Sequence, residues 1–193
     1  MFNRILVALD HSERDDEVYC RGRALAEAIG AELLLLHVLD FHEAEAPYFP
    51  SSLGMEYSPD VYREAMALYW QEEREYEQRQ LMLLRNRADS ALAGGVVASI
   101  AMVKGTAGPL ICRQAKAWQA NLIIVGSRGR SSIQEILLGS VSQYVNHHAP
   151  CSVLIVHPVG QAVDSEAENE SVADEPVAEP VEKPVAVHTA SFL

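Results

Sequence analysis

The amino-acid sequence predicts an α/β protein with a single open, doubly wound, parallel five-stranded sheet and helices on both faces. Short apolar runs alternate along the chain with longer blocks of helical character. The runs NRILVAL and ELLLLHVL lack the polar alternation of a half-exposed strand, so they suit a sheet that is covered on both sides. Strands joined by helices pair in parallel, through right-handed crossovers.

Asn3–Leu9 reads as the first strand. Asp15–Ile29 is Ala-rich, carries Val18, Leu25 and Ile29, and stops at Gly30, as a helix with a C-terminal glycine does. Glu32–Leu39 is the second buried strand. Phe41–Pro59 holds three prolines, several aromatics and a Ser-Ser pair, and reads as a loop. It exceeds the ~12–15 residues of an inert connection, which suggests a lid or an interface. Pro59–Ala93 is a long helix whose stretch QEEREYEQRQ is expected to face water, and Gly94-Gly95 ends it. Val96–Val103, Asn121–Val125 and Ser152–His157 are the remaining strands. Ala107–Ala120 and Ile133–His148 are the remaining helices.

The composition divides the chain in two. Residues 158–193 hold four prolines and eight acidic residues against one base, Lys183. That tail carries −7 of the formal net charge of −12 and leaves −5 for residues 1–157. A segment of Val, Ala, Glu and Pro without periodicity cannot bury enough apolar surface to offset its ordering entropy, so it is expected to be disordered. The negative charge argues against nucleic acid as a partner, since affinity for phosphate backbones comes from Lys and Arg. No apolar run approaches the ~20 residues of a membrane span, and MFNRILVALD meets Asp10 too early for a signal peptide. Cys20, Cys112 and Cys151 form no CxxC pair, and their odd number disfavours a disulfide framework. Each is expected to be a small buried hydrophobe, in a cytoplasmic protein.

In a doubly wound sheet the ligand lies beyond the carboxyl ends of the strands, where the strand order reverses. The segments that follow the strands are therefore the candidates. The most informative is Gly126-Ser127-Arg128-Gly129-Arg130-Ser131-Ser132, with Gly139-Ser140 downstream. A strand that enters a glycine loop and then a helix start aims several N–H groups at one volume, where the helix dipole also favours an anion. Glycine permits close approach and positive φ. Gly139 inside a continuous helix would cost ~1 kcal/mol. The helix proper can instead begin there, with Ser140 as its cap and the N–H groups of Ser140, Val141 and Ser142 facing the anion. The alternative is a turn followed by a kinked helix. Neither GxxxxGK[ST] nor a first-strand GxGxxG is present, which removes two standard nucleotide motifs. No catalytic triad, carboxylate pair or zinc spacing stands out. His147 and His148 point ~100° apart on a helix, so one is expected to cover the core and the other to face water.

The spacing Gly126-x2-Gly129-x9-Gly139-Ser140 resembles the nucleotide-binding signature of the universal stress protein family, G-2x-G-9x-G-(S/T), in its ATP-binding branch. The flanks agree: Asn3–Asp10 followed by His11-Ser12, Glu32–Val38, NLIIVGSRG and APCSVLIV all resemble family segments, so the likeness covers about residues 2–157. It implies an adenine nucleotide alpha hydrolase-like, Rossmann-like domain that binds ATP or a related adenine nucleotide with Mg²⁺. It also implies a homodimer, formed through Ser152–His157, and stress-response regulation with at most slow ATP hydrolysis. The residues that it marks are Asp10, Val38, Val125, Gly126, Arg128, Gly129, Gly139, Ser140 and Val141, with Ser127 a weaker candidate. Asp10 suits a ribose hydroxyl or a water-bridged Mg²⁺, or simply a turn. Val38 offers its backbone to adenine or is plain core. Arg128 suits a phosphate or solvent. The turn Lys104–Pro109, the aromatic loop with Tyr48, Phe49 and Tyr57, and the acidic tail depart from the family pattern. They leave open a member that binds AMP or another adenine ligand and works through an unidentified protein partner.

Overall fold

The computed structural model of the chain describes residues 2–10, 15–40, 47, 59–127 and 138–157. Its elements are β1 (Arg4–Leu9), α1 (Asp15–Ile29), β2 (Glu32–Leu39), α2 (Pro59–Ala93), β3 (Ala98–Lys104), α3 (Ala107–Trp118), β4 (Leu122–Gly126), α4 (Ser140–His148) and β5 (Ser152–Val156). The five strands form one sheet in the order β3-β2-β1-β4-β5, with every pairing parallel. The predicted architecture is therefore the one observed. The expected disordered tail and the lid-like loop lie outside the described residues.

Alternation along the strands sorts the core into two layers. Ile5, Val7, Leu33, Leu35, Leu122 and Ile124 face α1 and α2, together with Val18, Ala26, Leu84 and Ala91. Leu6, Leu34, Leu36, Ile123 and Val125 face the other way, with Leu110, Ile111 and Ala115 of α3 and Val145 of α4. β1 and β4 are buried on both sides, which is why their sequences are apolar throughout. β5 is an edge strand and leaves Leu154 40% exposed.

Helix ends follow local chemistry. α1 opens with Asp15, Asp16 and Glu17, which complement the positive end of its dipole. It closes at Gly30, whose φ of 68° allows Ala31 N–H to reach back to the Ala26 carbonyl at 3.0 Å. α2 corrects one expectation. Its polar stretch does not face water throughout, because Tyr76 and Gln80 are buried against the sheet beside Leu84. They lie on the same helical stripe, at the i, i+4 and i+8 positions, and that stripe decides burial here.

Gly22 sets the approach of α1 to the sheet. A Cβ at this position would lie 2.6 Å from Val7 Cγ2, and Val7 is fully buried. Gly22→Ala gains helix propensity of under ~1 kcal/mol but overpacks a β-branched neighbour that cannot swing away. The variant is expected to be destabilised by a net ~1–2 kcal/mol in urea titration. Unchanged or increased stability would refute this packing.

Candidate functional site

The sheet opens at the point where its winding reverses. β1 pairs with β4 only through Ile5↔Leu122, Leu6↔Ile123 and Val7↔Ile124. Beyond that, Ala8 and Leu9 follow β2, while Val125 and Gly126 follow β5. The two central strands thus part at their carboxyl ends and leave a crevice between Asp10 and Gly126-Ser127. β2 also runs on past Leu9↔His37, its last pair with β1, so Val38 extends beyond the end of β1. The Val38 side chain belongs to the core layer beneath α3, and only its backbone is available to a ligand.

Ser127 ties the crevice to α4. Its N–H donates to the Val156 carbonyl at 2.7 Å, which fixes the end of β4 to β5. Its carbonyl accepts Gly139 N–H at 2.7 Å and Ser142 Oγ–H at 2.9 Å. Ser142 is buried and sits 2.9 Å from the Gly139 carbonyl as well. The N-terminus of α4 is therefore held against the end of β4 by a single carbonyl. Sequence reasoning singled out the Ser142 N–H but missed this role of its hydroxyl. A serine three residues after the Gly139 cap was the available signal.

The helix begins at the glycine break, as anticipated, but the cap is Gly139 and not Ser140. Gly139 is extended, with φ −70° and ψ 161°, and its carbonyl accepts the first α-helical bond, from Gln143 at 2.9 Å. A glycine cap brings no side-chain acceptor, so the N–H groups of Ser140, Val141 and Ser142 have no partner within the helix. The positive-φ reading fails for Gly126 and Gly139, since the described glycines with positive φ are Gly30, Gly95 and Gly105. The Ser127 hydroxyl is 1% exposed and makes no hydrogen bond. An orphaned buried hydroxyl costs roughly 1–3 kcal/mol, so a ligand atom at this spot would be favourable.

Asp10 forms the opposite wall, at the end of β1. Its N–H donates to Asp15 Oδ1 at 2.9 Å, and Asp15 Oδ2 accepts from Arg87 at 3.0 Å. Asp15 is 3% exposed. Burial first, and then the Asp10 charge, push its carboxyl up from 3.8 to about 7, against the pull of the Asp10 N–H and the Arg87 guanidinium. Arg128 and Gly129 lie outside the described residues, as do His11 and Ser12.

Two expectations about side chains away from the crevice are corrected. His147 and His148 are both exposed, because the inner face of α4 is taken by Ser142 and Val145. His148 stacks on Tyr144, with ring centroids 4.1 Å apart. Cys20 is exposed on the outer side of α1, while Cys112 and Cys151 are half-buried and burial raises their thiol pKa values.

The other hollows offer less. A groove of about 450 Å³ at the amino ends of the strands is lined by Asn3, Arg4, Glu32, Gln119 and Asn121. Its polar groups are engaged in the fold: Asn121 Oδ1 accepts the N–H groups of Asn3 and Arg4, and the Arg4 side chain donates to the Trp118 carbonyl. A cavity of about 40 Å³ beside β3 contains Lys104, which is already paired with Glu73 and Glu77. Among the described residues no three His, Cys, Asp or Glu side chains gather as a metal site, and no helix is long and apolar enough to cross a membrane.

A parallel sheet ordered 3-2-1-4-5, with its switch point between β1 and β4, defines an open, doubly wound α/β domain. The model of the universal stress protein family matches residues 1–157, and the chain belongs to that family. It is 36% identical over 157 residues to the universal stress protein YxiE of Bacillus subtilis, covering 81% of this chain and 99% of that one. The structure of UspA from Lactobacillus plantarum has a TM-score of 0.58 at 22% identity, over 80% of this chain and 97% of that one. A universal stress protein crystallised in complex with cAMP has a TM-score of 0.52 at 25% identity, over 81% and 97% of the two chains.

The raised Asp15 pKa has a thermodynamic sign. The folded state holds this proton more tightly than the unfolded chain, so the stabilisation is complete below about pH 4 and is lost as pH rises to about 7. Asp15→Asn stays neutral throughout. Its stability relative to the natural protein is expected to rise by roughly 2–4 kcal/mol between pH 4 and 8, followed by urea denaturation at each pH. A pH-independent difference would contradict the assignment.

Proposed function

We propose that the chain binds an adenine nucleotide, ATP with Mg²⁺, in the crevice between β1 and β4. In this reading it acts as a cytoplasmic, homodimeric regulatory module of the stress response. One observation carries the proposal: the central strands part after Val7↔Ile124, and the neighbouring helix α4 has a glycine cap that offers its first amides no side-chain acceptor. The chemistry of the groups suits a nucleotide. The N–H groups of Ser140, Val141 and Ser142 and the Ser127 hydroxyl are donors for phosphate oxygens. Asp10 is an acceptor for a ribose hydroxyl. The backbone of Val38 and of Val125-Gly126 offers polar groups in an apolar setting, as an adenine edge requires. Arg128 and Gly129 would complete the phosphate loop. Mg²⁺, when bound with the triphosphate, would neutralise phosphate charge. Without a Walker-type lysine the reading assigns at most slow hydrolysis.

The relative that binds cAMP favours a second reading, in which the ligand is AMP or another nucleotide with a single phosphate. Calorimetric titration of the full chain with Mg-ATP, AMP and cAMP separates the two. Mg-ATP is expected to bind most tightly, and Gly126→Val and Gly139→Val are each expected to weaken it at least about tenfold, since a branched side chain would fill the crevice. Absence of binding at millimolar nucleotide, with both variants indistinguishable from the natural protein, would end the proposal.

The dimer is assigned to the β5 edge. Among the described residues that strand pairs only with β4 and exposes Leu154, and an apolar edge of this kind invites association. Leu154→Lys is expected to sediment as a monomer. An unchanged dimer would place the interface elsewhere.

A further inference from the structure

We propose that Asp15 is a positioning residue for the nucleotide site: it fixes Asp10 by accepting its backbone N–H, and Arg87 makes that hold depend on α2. The inference rests on the nucleotide reading above and adds residues that the glycine signature does not include.

Asp10 directly follows β1, beyond the last β1–β2 and β1–β4 pairs, so its backbone lies outside both ladders. The bond to Asp15 Oδ1, at 2.9 Å, supplies a fixed point. Asp15 is the first residue of α1 and is 3% exposed, which makes its contacts strong and its own position well defined. Arg87, 72 residues later, donates to Asp15 Oδ2 and to Asp16 Oδ1, both at 3.0 Å. The two carboxylates are not equivalent. Asp16 is 84% exposed, and an ion pair in that setting is worth little. Asp15 is buried, so loss of its partner would leave a polar group stranded. Arg87 is held in turn. Its carbonyl accepts the Tyr19 hydroxyl at 2.7 Å, and its guanidinium lies 6.0 Å from the centre of the Tyr19 ring. A continuous chain of contacts therefore runs from α2 through Arg87 and Asp15 to the backbone of Asp10.

The test uses the full chain, with Mg-ATP titration and hydrogen exchange of the Asp10 amide read together. Asp15→Ala removes the contacts with Asp10 and with Arg87 and is expected to weaken Mg-ATP about tenfold or more and to abolish Asp10 protection. Asp15→Asn keeps an acceptor for the Asp10 N–H but loses the Arg87 bond. It is expected to retain protection and to lose about threefold in affinity. Arg87→Met should match it, and the double variant Asp15→Asn/Arg87→Met should be no weaker than either alone, since both remove one contact. A merely structural role would leave Mg-ATP affinity unchanged in Arg87→Met, in which the Asp10 N–H keeps its acceptor. If Asp15→Ala fails to fold, the Arg87→Met affinity and the Asp15→Asn protection carry the test. Natural affinity in folded Asp15→Ala, or in Arg87→Met, overturns the proposal. If the natural protein itself binds no nucleotide while its Asp10 amide is protected, the nucleotide reading fails and the claim that Asp15 serves a nucleotide site is refuted with it. The hold on the Asp10 backbone is judged separately, by the protection measurements.

Discussion

The parting of β1 and β4 is the constraint on which the rest of the structure turns. A parallel sheet wound outward from its centre must send its crossovers to opposite faces, and no connection then covers the carboxyl ends of the two central strands. Here the pairing stops at Val7↔Ile124, while each strand continues along its outer neighbour. The resulting crevice is lined by backbone from both halves of the sheet. The residues proposed to hold the ligand lie at this parting or support one that does.

Two anchors keep the crevice in shape, one on each wall. On the β4 side the Ser127 carbonyl collects Gly139 N–H and Ser142 Oγ–H, so the amino end of α4 cannot drift from the sheet. On the β1 side Asp15 accepts the Asp10 N–H and is itself bound by Arg87. Both anchors are buried, where a hydrogen bond is stronger than in water and its loss is more damaging. The groups left over are the Ser127 hydroxyl and the first amides of α4. All of them can donate a hydrogen bond, which is what the proposed anionic ligand would require.

The fold was legible because its strands are continuous apolar runs. ELLLLHVL has no plausible place except between two helical layers, and β2 is buried from Leu33 to Leu39. The break at Gly139 was legible too, because a mid-helix glycine is costly enough to demand a reason. The identity of the cap was not. Both Gly139 and Ser140 are good caps, and only the observed dihedrals choose Gly139. Tyr76 and Gln80 were hidden inside a run of charges, where helical phase and not composition sets burial. The Asp15–Arg87 pair was beyond reach of the sequence, since its partners are 72 residues apart and no local periodicity links them. Exposure of Cys20 likewise depends on which side of α1 meets the sheet.

Backbone amide NMR during titration with Mg-ATP tests the central claim most directly. The account predicts saturable shifts concentrated at Asp10, Gly126-Ser127 and Ser140–Ser142, with the opposite end of the sheet silent. Shifts centred instead on Asn3, Arg4 and Asn121, or no saturable change around the crevice, would contradict it.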